Sequence, residues 1–222
     1  MRFEFYRQVA NQHGLRAAAY NVAYRAANKL TELMILDGVT VSVATLDKKF
    51  LEEPKAKEGR FLDFATLKRL SKNPELMLTE RFIEQAEAKG DRCYGFLEGE
   101  LLSSYGWYST KPTLLTEVRD DLVIHFNPTY AYMYNGFTHP KFRGQRLHAI
   151  GMAKALEALT AEGLDGLVSY VDSTNFASLK SCFRMGYQTF GHVALVKLGD
   201  RFRSYASAGC ARYGFRVEVR RA

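Results

Sequence analysis

The chain is poor in residues that staple or kink small proteins. Its 222 residues include three cysteines and five prolines. Cys93, Cys182 and Cys210 are an odd number at wide spacing, so they suggest neither a disulfide framework nor a close-pair metal site. Thiols this sparse favour a reducing compartment, and a cytoplasmic location is the expectation. Mean hydropathy is −0.24, and no apolar run is long enough to cross a bilayer. The start, Met1-Arg2-Phe3-Glu4, lacks the apolar core and small-residue cleavage site of a secretory leader. There is no internal repeat and no low-complexity tract. Neither the Gly-Lys-Ser/Thr phosphate loop nor the Gly-x-Gly-x-x-Gly dinucleotide fingerprint occurs. These absences set aside disulfide scaffolds, metal modules, membrane-spanning helices and the two common nucleotide-binding loops.

What is present is ordinary globular material, 47% hydrophobic, 25% charged and 13% aromatic. The length suits one domain with an appended segment, and such a chain can bury most of its apolar surface unaided. Lysine and arginine number 31 against 24 acidic residues, a formal charge of +7. That excess favours an anionic partner: a phosphorylated cofactor, an acidic carrier protein, a membrane surface or nucleic acid. No recognition motif accompanies the charge, so nucleic acid is not an expected partner.

From Phe3 to about Leu33, apolar positions recur at helical spacing: Leu15, Ala18, Ala19, Val22, Ala26, Leu30 and Leu33. Arg2, Arg7, Arg16, Arg25 and Lys29 lie among them. A basic amphipathic helix suits a membrane surface. The apolar side here is rich in small alanines, so residues 1–35 read as a helical segment packed on a domain of residues 36–222. Peripheral membrane contact is the disfavoured alternative. Met34 to Ala44 is β-rich, with Asp37-Gly38 as a turn, and Lys48 to Arg60 reads as a charged loop. Helices are expected over about Leu62–Ser71 and Pro74–Lys89, the second punctuated by Asn73, Pro74 and Gly90. A hairpin follows, Cys93–Leu97 and Glu100–Tyr108 about Glu98-Gly99. Ser109–Asp121 reads as a loop. Strands Leu122–Phe126 and Tyr130–His139 precede a helix from Gly144 to about Glu162. Then come strand Leu167–Val171, helix Thr174–Met185, strand Tyr187–Val196 and a basic, partly β tail that includes Tyr213–Val219. This order predicts an α/β (α+β) fold, a mixed, mostly antiparallel central sheet with helices on both faces.

The chemistry concentrates in Gly136-Phe-Thr-His-Pro-Lys-Phe-Arg-Gly-Gln-Arg-Leu-His148. It is a strand, a tight polar loop and then a long helix. A loop feeding a helix N-terminus offers unpaired N–H groups and the positive end of the dipole, a ready phosphate site. Arg143 and Arg146 add charge, and Gly144 permits close backbone approach.

Thr138-His139-Pro140 at the strand end, followed by Arg143-Gly144-Gln145-Arg146-Leu147-His148, resembles the pyrophosphate signature of the GNAT superfamily of N-acetyltransferases. Asn175-Phe-Ala-Ser178 and then Met185-Gly186-Tyr187 resemble its second signature, with the expected helix and strand between the two. The resemblance covers roughly Cys93 to Val196. It implies acetyl-CoA or another acyl-CoA as co-substrate, with no metal. Arg143, Gly144, Gln145, Arg146, Leu147 and His148 would hold the pyrophosphate, with Asn175 and Ser178 completing the cofactor site. Backbone N–H groups of Phe137, Thr138 and His139 would hold the pantetheine and polarise the thioester carbonyl. An amine acceptor, small molecule or peptide, then attacks directly, with a base removing its proton.

The chain departs from the family in three places. Later loop glycines are replaced by Arg146 and His148. The family's strand glutamate falls near Tyr132, and its general-acid tyrosine falls at Cys182. Tyr132, Cys182 and His139 are therefore the catalytic candidates, with His125 and Asp172 as further titratable groups. Tyr130, Tyr132 and Tyr134 share one strand face, either as an aromatic channel wall or as cross-strand packing. The expected activity is transfer of an acyl, simplest acetyl, group from CoA to an amine. Two alternatives stay open: a long acyl chain delivered by acyl carrier protein, and a non-catalytic GNAT-like binding module. A homodimer is also left open. Acceptor pockets in the family draw on segments that here carry no motif, about Leu62–Lys89, Ser109–Asp121 and Arg201–Ala222.

Overall fold

A computed structural model describes residues 2–51, 59–115, 119–199 and 201–220, with side chains from residue 6. Most of the charged Lys48–Arg60 loop lies outside the described residues, as do residues 116–118 of the Ser109–Asp121 loop.

The N-terminal helix is two helices, α1 (Arg2–His13) and α2 (Leu15–Ala27), broken at Gly14 with φ 89°. The packing expected of α2 is reversed. Leu15 and Leu30 are 80% and 90% exposed, and Val22 is exposed as well. The helix docks instead through Tyr20, whose hydroxyl is 2.7 Å from that of Ser173, and Tyr24, whose hydroxyl donates to the Leu33 carbonyl. Two aromatic residues with polar tips anchor this helix better than a row of alanines could.

Asp37-Gly38 is not a turn. Strand β1 (Leu33–Val41) runs straight through it, with a register shift after Gly38. A Cβ on Gly38 would lie 2.5 Å from the Phe190 ring, so the glycine serves a close approach rather than a reversal. Beyond β2 (Gly59–Leu62) and α3 (Phe64–Leu70), the expected Pro74–Lys89 helix also breaks. Asn73 caps a single 3-10 turn, Met77 turns left-handed at φ 53°, and Thr79 starts α4 (Glu80–Lys89) by accepting the Phe82 N–H. The expected loop at Ser109–Asp121 includes a short strand, β5 (Thr113–Leu114).

The remaining strands are β3 (Arg92–Glu98), β4 (Leu101–Ser109), β6 (Leu122–His125), β7 (Tyr130–Thr138), β8 (Gly166–Asp172), β9 (Gln188–Leu198), β10 (Arg201–Ala206) and β11 (Arg216–Val219). Eight of the strands form one sheet in the order β10-β9-β1-β8-β7-β4-β3-β2. Every adjacent pair is antiparallel except β7 and β8. A small sheet, β11-β6-β5, lies apart.

One face of the large sheet is covered by α5 (Leu147–Ala161) and α6 (Phe176–Met185), whose Met152, Leu156 and Leu179 pack on Val39, Phe96 and Leu167. On the other face, α3 and α4 bury Leu67 and Ile83 against Trp107. Beside them the small sheet and α7 (Ala208–Ala211) bury Ile124, Cys210 and Val217 against Tyr132 and Val168. The mixed, mostly antiparallel sheet with helices on both faces is the expected architecture.

Candidate active site

The site forms where β7 and β8 part. They pair in parallel over only three steps, Tyr130 with Gly166, Ala131 with Leu167 and Tyr132 with Val168. At the next step the Ser169 hydroxyl, not a backbone N–H, donates to the Met133 carbonyl at 2.8 Å. On its other side β7 bulges against β4. Trp107 pairs with Tyr134 and Tyr105 with Phe137, so Asn135 and Gly136 together oppose Gly106. Asn135 takes φ 46°, in the left-handed region that asparagine tolerates. Bulges of this kind re-aim backbone groups beside active sites.

The gap opens a cleft of about 890 Å³. His148, Asn175, Ser178 and Cys182 line its α5–α6 end, and Phe82, Lys89, Asp91, Tyr132 and Tyr134 line its other end. Tyr132 and Tyr134, two residues apart on β7, stack at 5.7 Å along the strand and both line the cleft wall.

The helix expected from Gly144 begins only at Leu147. Arg143, Gly144, Gln145 and Arg146 form an exposed loop that leads into it. Arg146 sits at the N-cap with φ 57° and supplies no side-chain cap. The first amides of a helix have no intrahelical acceptors, so this end keeps donors and positive dipole for an anion. Leu147 itself is core. On α6, Asn175 caps its own helix by accepting the Ser178 N–H at 3.1 Å.

His148 occupies a telling position. A Cβ built on Gly136 would fall 2.4 Å from its Cε1, so the ring lies directly over the bulge. Burial lowers its pKa and favours the neutral ring. Burial also pushes the Cys182 thiol up to about 11, so it keeps its proton at neutral pH.

Phe137, Thr138 and His139 do not behave as expected. None lines the cleft; the bulge residues Tyr134, Asn135 and Gly136 do. The His139 N–H donates to the Ser103 carbonyl at 3.0 Å and is not free. The Phe137 carbonyl accepts from Ser104 Oγ at 2.8 Å. The extra bulge residue shifts the register, so that beyond it the strand is tied to β4. The buried His139 ring accepts the Lys141 N–H and lies 3.4 Å from the Glu75 carboxylate, away from the cleft. His125 also lies elsewhere, in the small sheet, 2.9 Å from Glu218. Asp172 does line the cleft, where its carboxylate accepts the Thr174 N–H at 2.8 Å.

Sequence reasoning missed one cluster. Asp91 is 2% exposed, and its Oδ2 accepts from the Tyr134 hydroxyl and lies 2.8 Å from Lys89 Nζ. The ammonium also stands 5.0 Å from the Tyr134 ring centroid and donates to Thr113 Oγ1. Burial lowers the Lys89 pKa, opposed by Asp91, while burial and then Asp91 raise that of Tyr134. The one sequence signal was a charged Lys-Gly-Asp at a helix end.

No family model and no curated protein matches the chain in sequence. Solved structures do match it in shape. A GCN5-related N-acetyltransferase from Sphaerobacter thermophilus superposes with a TM-score of 0.50 at 7% identity, over 83% of this chain and 56% of that one. The chain shares the fold of that acetyltransferase. A Drosophila protein superposes on the same architecture with a TM-score of 0.51 at 15% identity, over 82% of this chain and 57% of its own. A Staphylococcus epidermidis protein of unknown function gives 0.50 at 7% identity, over 78% and 65%. The chain thus spans less than two thirds of the length of each of these neighbours. The start of α5, with no side-chain cap and with Arg143 and Arg146 before it, fits an anionic group such as a pyrophosphate.

Proposed function

We propose that the protein is an N-acyltransferase that moves an acyl group from acyl-CoA to an amine acceptor by direct attack. One observation carries the reading: the cleft beside the β7–β8 gap is lined by His148 of the first turn of α5, and that helix start, which has no side-chain cap, follows the exposed Arg143–Arg146 loop, itself outside the cleft lining. The loop 143–146 and the first amides of α5 would hold the pyrophosphate, with Asn175 and Ser178 nearby on α6. When bound, acyl-CoA supplies the activated carbonyl. The bulge Tyr134–Gly136 offers backbone dipoles at the gap, where charge on a carbonyl oxygen would be stabilised. The acceptor would enter from the opposite end, past Tyr132, Tyr134 and the Lys89–Asp91 pair. Acetyl is the simplest acyl group, and the cytoplasm the compartment in which acyl-CoA is met.

Delivery of a longer chain by acyl carrier protein is favoured by one feature. Exposed Leu15 and Arg16 at the start of α2, and exposed Lys29 and Leu30 just beyond its end, offer a surface complementary to an acidic protein.

Thermal unfolding with an acyl-CoA length series tests the main reading. Ligand at a hundredfold its Kd stabilises by about 2.7 kcal/mol. The shift should appear for the wild type and vanish in Arg143→Glu/Arg146→Glu. No shift with any acyl-CoA would remove the donor from the proposal.

A further inference from the structure

Resting on that acyl-transfer reading, we infer that His148 is the proton acceptor of the reaction: its imidazole takes the proton from the attacking amine and returns it to the leaving thiolate. The two positions where the family's catalytic groups fall are poorly suited to that task. Tyr132 is buried and stacked between Phe126 and Tyr134. Cys182, pushed up by burial to about 11, is a weaker acid than an ordinary cysteine thiol at about 8.5, so giving its proton to a thiolate is uphill. Lys89 and Asp91 are occupied with each other. Among the described residues lining the cleft, His148 is the sole imidazole, and its ring lies over the Gly136 bulge beside the gap.

Other titratable groups share the cleft. They are Cys182 from α6, Tyr187 at the foot of β9, Tyr170 and Asp172 of β8, Tyr132 and Tyr134 of β7, Arg220 beyond β11, and the Lys89–Asp91 pair across the sheet. Burial, rather than a neighbouring charge, keeps the ring neutral, the form a general base must have at neutral pH.

The chemistry balances on this one residue. The amine nitrogen bonds to the thioester carbon while the carbonyl π pair moves to oxygen. The ammonium proton passes to an imidazole nitrogen. The carbonyl re-forms as the C–S bond breaks, and the same proton goes to sulfur. The products are an amide and CoA thiol, with the imidazole neutral again. A side chain that in a glycine-lined loop would only crowd the donor thus becomes the single acid–base group.

The test uses acetyl-CoA, a mixture of standard amino acids and polyamines, and thiol release as the activity readout. His148→Gly, which restores the family's small residue, should bind CoA as the wild type does yet lose about 10²–10⁴-fold in kcat. Added imidazole should restore part of the rate. In the wild type kcat/KM should rise with pH through a limb below 6.5 that His148→Gln lacks. Independently of activity, the imidazole NMR signal missing from His148→Gln should move when CoA is added. A His148→Gly rate equal to or above wild type, or a His148→Gln variant that keeps the acid limb, would overturn the assignment while leaving acyl transfer in place. A wild type with neither CoA stabilisation nor thiol release would sink the acyl-transfer reading and this inference with it.

Discussion

The hydroxyl of Ser169 donates to the carbonyl of Met133 at 2.8 Å, and at that bond two parallel strands cease to be neighbours. A backbone N–H at this step would continue the ladder and close the gap that the cleft occupies. The side chain satisfies the carbonyl without drawing β8 closer. Ser169→Ala should therefore cost about 1 kcal/mol in urea unfolding, the net worth of one hydrogen bond. It should also weaken acyl-CoA binding, because the gap loses its tie. Unchanged CoA affinity in a destabilised Ser169→Ala would mean that this bond supports the sheet alone.

Gly136 and His148 form a second coupled pair. The ring fills the space a Cβ would take. Gly136→Ala forces the imidazole out of its seat, and overpacking of this kind costs about 1–3 kcal/mol. Removing the ring first makes room. Gly136→Ala should thus be far less harmful in a His148→Gly background than alone. A double-mutant cycle in unfolding free energy should give a coupling of about 1 kcal/mol or more, and additive losses would show that the contact is loose.

Local signals were legible wherever the chain's own neighbours decide the structure. The Glu98-Gly99 hairpin reads directly from sequence, as does the α6 region with Asn175 before it and Gly186 after it. The polar loop that leads into α5 was readable for the same reason, although the helix starts at Leu147 rather than Gly144. Elements decided at a distance were not. Asp37-Gly38 looks like a turn until Phe190, remote in sequence, is seen lying over the glycine. The alanine side of α2 looks like a packing face until Tyr20 finds Ser173. The bulge at Asn135–Gly136 leaves no periodic mark, so a regular strand was expected there. His148 was read as a phosphate neighbour because its spacing from Gly144 is local, whereas its contact with Gly136 is not.

The Asp91 cluster shows the same limit, since its partners come from α4, the start of β3 and the middle of β7. It also makes a sharp prediction. Asp91→Asn leaves the partly buried Lys89 ammonium facing a neutral amide, and the Tyr134 hydroxyl loses a carboxylate acceptor. Breaking one side of a buried ion pair costs about 3–5 kcal/mol, and partial exposure of Lys89 puts this case near the lower end. Lys89→Met in the same protein should recover much of the loss, because the stranded charge is gone. Chemical denaturation of the single and double variants decides the matter. Equal instability of both would show that the carboxylate is held mainly by Tyr134.

The pH dependence of stability carries the sign of the His148 environment. Its folded pKa lies below the ordinary histidine value of 6.5, so on acidification the unfolded chain takes up this proton first. Stability associated with the neutral ring is therefore complete above about 6.5 and is lost as pH falls from there toward the folded value. Relative to His148→Gln, which does not titrate, the wild type should lose stability in that window by at most about 1.4 kcal/mol per pH unit. Groups common to both proteins cancel in the difference. Denaturant midpoints measured from pH 7.5 down to 5 should run parallel at the top and diverge below 6.5, with the wild type falling faster. If saturating CoA lets the ring take up a proton more readily, the divergence should shrink in its presence. Curves that stay parallel throughout would mean that the imidazole is as well hydrated in the fold as in the open chain, and the ring could not then be the enclosed group that its place over Gly136 indicates.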